Sequence, residues 1–150
     1  MNPSFESNDA WELLGGYAPG YSWSRAHSGS RSMRLGLLSP YPAAVFSSVR
    51  QEVDIPSNAS EARLSFYYFP VSWPEDNDYL YLVLDRASDG TRLLREKFIN
   101  RSQTWNPMDF DLREYVGERV KLQIGVYNDG HGVTGVFLDD VELWVVDGGN

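Results

Sequence analysis

Three turn-rich segments set aromatic rings beside polar side chains. Residues 15–23, Gly-Gly-Tyr-Ala-Pro-Gly-Tyr-Ser-Trp, carry Tyr17, Tyr21 and Trp23. Residues 71–78 carry Trp73 with Glu75, Asp76 and Asp78, and residues 127–132 carry Tyr127, Asn128, Asp129 and His131. Tyr79 and Tyr81 alternate along a strand-like run, so they share its non-leucine face and could floor a concave cleft beside Tyr127 and Gln123. A flat ring can stack on the C–H face of a sugar while a few polar groups orient its hydroxyls. The competing role is packing: a tryptophan in a turn, such as Trp73, can close the end of a core, and an outer-face tyrosine can cover apolar surface with its hydroxyl in water.

Other chemistries are poorly served. The chain has 150 residues and no cysteine, which removes thiol nucleophiles and cysteine-ligated zinc. His27 and His131 are its two histidines, and neither stands in a His-x-x-x-His or Glu-x-x-His pattern. No nucleophile-elbow string is present, and Asn-Asp-Gly-His-Gly-Val-Thr-Gly at 128–135 lacks the lysine and helix of a phosphate loop. Carboxylates are too many for their presence to specify glycosidase chemistry. The 75–78 acidic cluster reads either as a second cation site or as a solvated loop. A balance of 21 acidic to 13 basic side chains, net −8, argues against tracking phosphates along nucleic acid or binding an anionic membrane. No segment approaches the roughly 20 apolar residues of a membrane span, and no signal peptide is evident.

The elements that must hold these residues are strands. In 79–85 Leu80, Leu82 and Leu84 oppose Tyr79, Tyr81 and Val83, and in 120–129 Val120, Leu122, Ile124 and Val126 oppose Lys121, Gln123 and Tyr127. Segments 32–38, 45–55, 62–69, 92–99 and 135–146 read similarly, separated by Gly, Pro, Asn and Asp clusters. Only 111–117 suggests a helix, a single turn with Asp111 as its cap and Gly117 as its stop. Eight to ten strands are expected in an all-β antiparallel sandwich of jelly-roll type, with 1–150 forming one β-sandwich module of a larger exported protein.

Several strings carry a resemblance. Asn-Pro-Ser-Phe-Glu at 2–6 with Trp11, His-Ser-Gly-Ser-Arg-Ser-Met-Arg-Leu at 27–35, 49–56, 64–68, 105–117 and Phe-Leu-Asp-Asp-Val-Glu-Leu at 137–143 occur in that order. Together they resemble the galactose-binding-like jelly rolls. Within that group they are similar to carbohydrate-binding modules of secreted bacterial glycoside hydrolases, and to MAM-type domains of adhesion proteins and secreted metallopeptidases. The resemblance implies that Trp11, Trp105, Phe5, Phe110 and Phe137 are framework residues.

It also implies a structural calcium ion. Glu6 and Asp139 occupy the carboxylate positions, with further oxygens from Ser4, His27 and Ser30, and Asp140 as an alternate ligand. Calcium takes six to eight oxygens and can join distant segments. Strand alternation puts Asp139 on the face of Phe137, Val141 and Leu143, which makes it either an inward carboxylate in need of a partner or a residue at a bulge. The alternative is a solvated acidic pair on an edge strand, with Glu6 a terminal charge.

The function implied is a non-catalytic carbohydrate-binding module, secreted or at the cell surface, whose partner is a glycan. The second reading is a MAM-like accessory or adhesion domain packed on a partner protein. A cleft lined by rings would favour the first, a flat apolar patch the second.

Overall fold

The computed structural model describes residues 3–74 and 77–149. Among them the chain forms ten strands: β1 (Glu12–Gly15), β2 (Gly20–Ser22), β3 (Ser32–Gly36), β4 (Val45–Asp54), β5 (Ala59–Ser72), β6 (Tyr79–Arg86), β7 (Arg92–Phe98), β8 (Asn106–Asp111), β9 (Arg119–Asn128) and β10 (Gly135–Asp147). They build two five-stranded sheets, ordered β1-β4-β9-β6-β7 and β2-β3-β10-β5-β8, and every pairing is antiparallel. This is the jelly-roll sandwich expected from the sequence.

Period-two alternation decides what lies between the sheets. Leu80, Leu82 and Leu84 of β6 and Val120, Leu122, Ile124 and Val126 of β9 meet Leu64, Phe66 and Tyr68 of β5, Met33 and Leu35 of β3, and Val136 and Leu138 of β10. Each such side chain contributes roughly 1.5–3 kcal/mol on leaving water. A one-residue slip in any of these strands would turn the set toward solvent, so the register is tightly specified.

Residues 113–115 form one 3-10 turn, with Asp111 accepting the Arg113 N–H at 3.0 Å and Gly117 beyond it at φ +91°. Strand β8 was not anticipated. It contains Pro107, which is tolerated because β8 is an edge strand paired only with β5.

Alternation fails in β10. The register shifts between Asp139 and Glu142, and Asp140 sits at φ +51°. Phe137 pairs with Phe69 and Asp139 with Tyr67, on the outer face of the second sheet, whereas Val141 belongs to the core. The bulge, the second of the two readings that the sequence left open, reverses parity: Asp139 shares a face with Phe137 but not with Val141 and Leu143. Trp105 is also displaced from the expected framework. Its ring packs on that same outer face, 5.7 Å from Phe69 and 5.4 Å from His27, while Trp11 and Phe5 are buried in the core.

Candidate functional site

The outer face of the first sheet carries a cleft of about 350 Å³ lined by residues of five strands, including Phe46, Tyr79, Tyr81, Arg95, Lys97 and Gln123. Cross-strand register assembles it in rows. Phe46, Tyr127 and Tyr79 stand opposite one another on β4, β9 and β6, and their rings form a continuous series with centroids 4.8 and 5.0 Å apart. The next row runs Ser48, Gly125, Tyr81, Lys97, and the one beyond it Arg50, Gln123, Val83, Arg95.

Gly125 shapes the floor. A Cβ there would stand 2.4 Å from the Tyr81 hydroxyl oxygen and 2.6 Å from Ser48 Cβ, so its absence lets the Tyr81 ring lie across the sheet. Burial raises the Tyr81 phenol above its usual value, partly offset by hydrogen bonding with Ser48 and Gln123. Gln123 Nε2 in turn donates to Ser48 Oγ at 2.8 Å. The floor is thus a fixed ring with a polar network at its tip, whereas Phe46 at the rim is 48% exposed.

The residues implied as calcium ligands gather elsewhere, around the 27–31 loop. Glu6 Oε1 accepts the N–H groups of Ser30 at 2.9 Å and Arg31 at 3.2 Å, and Oε2 accepts the Ser30 hydroxyl at 3.0 Å. Hydrogen bonds from Arg31 and Ser30 hold Glu6 below the usual carboxylate range. Asp139 is fully buried. Its Oδ2 accepts from the His27 and Ser28 N–H groups at 2.8 and 3.1 Å, and its Oδ1 from the Asp140 N–H at 2.8 Å.

Burial pushes Asp139 up to about 6 against the pull of those three donors. Burial also raises Asp140, but hydrogen bonds from Ser28, Ser4 and His27 outweigh it and the net shift is downward. Ser4 donates to Asp140 Oδ1 at 2.6 Å, and His27 Nδ1 lies 2.6 Å from Oδ2. Carboxylates and hydroxyls are the donor chemistry a hard cation takes, and among the described residues no cationic side chain bonds the buried Asp139 carboxylate. Among the described residues, however, no three His, Asp or Glu side chains converge as a coordination group. A calcium ion held here would draw on Glu6, Asp139 and Asp140 together with oxygens of Ser4, His27 and Ser30, and would supply a cross-link between the N-terminal segment, the loop and the last strand.

The remaining candidate rings disperse. Trp73 is buried in the core with Nε1 donating to the Asp78 carbonyl at 3.2 Å, which leaves no face for stacking. Tyr21 packs at the core margin beneath the Arg31 guanidinium, 4.4 Å away, and Trp23 is 69% exposed beside that same arginine. Tyr17 packs edge-on to Tyr41 at 5.7 Å. His131 is exposed, 3.6 Å from Asp129.

Asn128 is buried and committed. It accepts the Thr134 N–H at 2.8 Å and donates to the Thr134 carbonyl at 3.0 Å. Asp78 ties the same loop by accepting from the Asp129 N–H and the Thr134 hydroxyl. The expected orienting role of Asn128 therefore gives way to a structural one. Glu75 and Asp76 lie outside the described residues.

Of the residues grouped from the sequence, Tyr79, Tyr81 and Gln123 line the cleft and Tyr127 adjoins it through its ring contacts with Phe46 and Tyr79, while Phe46, Ser48, Arg92, Arg95 and Lys97 were not anticipated. The signal was available in part. Phe46 and Ser48 alternate in one strand-like segment, as do Arg95 and Lys97 in another, but only cross-strand register brings the two segments to one cleft.

No protein-family model matches the chain, and no curated protein matches it. Solved structures do. TmCBM61, determined in complex with β-1,4-galactotriose, superposes with a TM-score of 0.68 at 19% identity, covering 97% of this chain and 96% of that one. The family 11 carbohydrate-binding module of the cellulosomal cellulase Lic26A-Cel5E of Clostridium thermocellum gives 0.63 at 11% identity, covering 97% and 94%. The enzymatically active domain of tailspike protein 4 from bacteriophage CBA120 gives 0.65 at 14%, covering 97% of this chain but 21% of that one. The fold is the antiparallel β-sandwich jelly roll that these carbohydrate-binding modules share.

Proposed function

We propose that the chain is a non-catalytic carbohydrate-binding module whose glycan lies in the cleft of the first sheet. The observation that carries this reading is the ring series Phe46, Tyr127 and Tyr79 next to the Tyr81, Ser48 and Gln123 network: apolar ring faces beside hydroxyl and amide groups able to orient sugar hydroxyls. A rigid floor limits the ordering cost of binding. Among the described residues, those lining the cleft include no carboxylate, whereas glycoside hydrolysis uses a facing pair. The cleft favours this reading over a MAM-like accessory domain, for which a flat apolar patch would be the support. Solved modules of the same fold are described as binding β-1,4-galactotriose and xylan, which adds support at the level of the fold.

A glycan array tests the proposal. Wild-type protein is expected to retain at least one glycan class and a folded Phe46→Ala variant to lose it; no retention of any glycan by wild-type protein would overturn the reading. Two further elements belong to the same proposal. One is a structural calcium ion at Glu6 and Asp139, supported by the oxygen donors gathered there. The other is a setting in a secreted or cell-surface bacterial protein, supported by the resemblance of the strings at 2–6, 27–35 and 137–143.

A further inference from the structure

Charge is distributed unevenly over this acidic molecule. Its formal charge is −8, yet among the described residues those lining the cleft include three cations, Arg92, Arg95 and Lys97, and no carboxylate. Elsewhere arginines are committed to carboxylates: Arg63 to Asp109, Arg86 to Glu118 and Asp89, Arg113 to Asp111, Arg119 to Glu52 and Asp54. At the cleft margin Glu12 bonds Arg50 and Asp85 bonds Arg92. The Arg95 guanidinium makes no hydrogen bond or ion pair with a described residue. The Lys97 ammonium, with no ion pair to a described residue, rests 4.3 Å from the centroid of the Tyr79 ring.

The placement of these two cations follows from the strand. Arg95 and Lys97 are two residues apart on β7, so they project to the same face, opposite Val83 and Tyr81 of β6. One therefore flanks the fixed ring of the floor directly and the other stands one row along. Two like charges held side by side without a counter-ion repel each other, and the margin carboxylates Glu12 and Asp85 are already engaged with Arg50 and Arg92. The missing partner is a negative charge that arrives with the ligand. An arginine fork matches carboxylate and sulfate oxygens, and a lysine adds a mobile point charge.

We propose that the cleft selects anionic polysaccharide, with the ring series stacking on a sugar and Arg95 and Lys97 taking the carboxylate of a uronic acid or the ester of a sulfated sugar. The inference rests on the cleft being the glycan site and names the ligand class for it. Long-range attraction cannot supply this preference, because a polyanion is repelled by the net charge of the whole protein. Selection must come from the local pair.

The test is affinity electrophoresis and titration calorimetry with polygalacturonate and alginate as carboxylate polymers, chondroitin sulfate and carrageenan as sulfated ones, and β-1,4-galactan, xylan and mixed-linkage glucan as neutral ones. Wild-type protein is expected to bind a charged polymer at least tenfold more tightly than any neutral one, and to lose roughly tenfold in affinity as salt rises from about 50 to 500 mM. Which charged group is bound separates uronate from sulfate. Arg95→Ala/Lys97→Ala is expected to abolish the preference, and Arg95→Glu/Lys97→Glu, which keeps the strand charged, to abolish it as well, with circular dichroism unchanged in both. Neutral polymers bound as well as charged ones, or charged binding that survives both double variants, would overturn this inference while leaving the cleft a glycan site. Absence of binding to every polymer would overturn both readings.

Discussion

Two clusters of charge on this molecule differ in whether their needs are met from within. Around the 27–31 loop, Glu6, Asp139 and Asp140 all receive N–H or O–H donors from their own chain, and one of them is fully buried. In the cleft, Arg95 stands free, Lys97 rests on a ring, and a phenylalanine is half in water. A group already satisfied gains little from a ligand, and removing it orphans its partners. A group left unsatisfied costs the fold little when removed, and has most to gain from a ligand. The first cluster is therefore a clasp and the second a docking face, although both look like charged residues in the sequence.

The sharpest way to break that contrast is Asp139→Ala. It leaves the N–H groups of His27, Ser28 and Asp140 without their acceptor, so urea unfolding should register a loss of about 3 kcal/mol or more. Glycan affinity of the remaining folded protein should not change. A neutral effect on stability would mean that the clasp holds nothing.

Calcium comes next. An ion bound only by the native state adds about 2.7 kcal/mol at a hundredfold excess over its dissociation constant. Saturating calcium should raise the melting temperature of chelator-treated protein, and Glu6→Gln should remove that rise. Identical melting curves with and without calcium would dismiss the metal.

On the other side, Phe46→Ala should weaken glycan binding by about 1–2 kcal/mol while changing stability by less than about 1 kcal/mol, because the ring is already half exposed. The reverse pattern would make Phe46 a core residue.

The smallest effect lies in the 128–134 loop. Burial raises the Asp78 carboxyl despite hydrogen bonds from Thr134 and Asp129. The native state therefore holds that proton more tightly than the unfolded chain does. The stability this provides is greatest below the unfolded value near 3.9, and it declines as pH rises through the higher folded value. As pH rises above about 3.9 the wild-type melting temperature should fall relative to Asp78→Asn; parallel profiles would count against the shift.

How much of this was legible follows from what each feature depends on. The long strands are written in local alternation, as in Leu80, Leu82 and Leu84, so the sandwich could be read directly. Strands β1, β2 and β8 are short or carry a proline, and they exist because a neighbour pairs with them. For Asp139 local alternation left two readings, inward or at a bulge, and the register shift beside it with the backbone angle at Asp140 decides for the bulge. Trp73 took the core-closing one of its two expected roles, while Trp105 packs on an outer face rather than in the core, since depth depends on which loop folds over which sheet. Tyr79, Tyr81 and Gln123 could be placed together because they lie on the outer faces of recognisable strands. Arg95 and Lys97 lie on such a face too, and what hid them was the strand order that sets β7 beside β6.

That strand order has one more consequence. Strand β7 is the outermost strand of its sheet, so one row of its backbone N–H and C=O groups faces no partner strand. Such a rim invites a second copy of the chain to add itself edge to edge, and side-chain charge along it is a common deterrent to that aggregation. Arg92, Arg95, Glu96 and Lys97 place charge along most of β7's length. The cations offered to a ligand thereby also help to keep the molecule solitary, and a polymer that neutralises them would leave that rim less guarded.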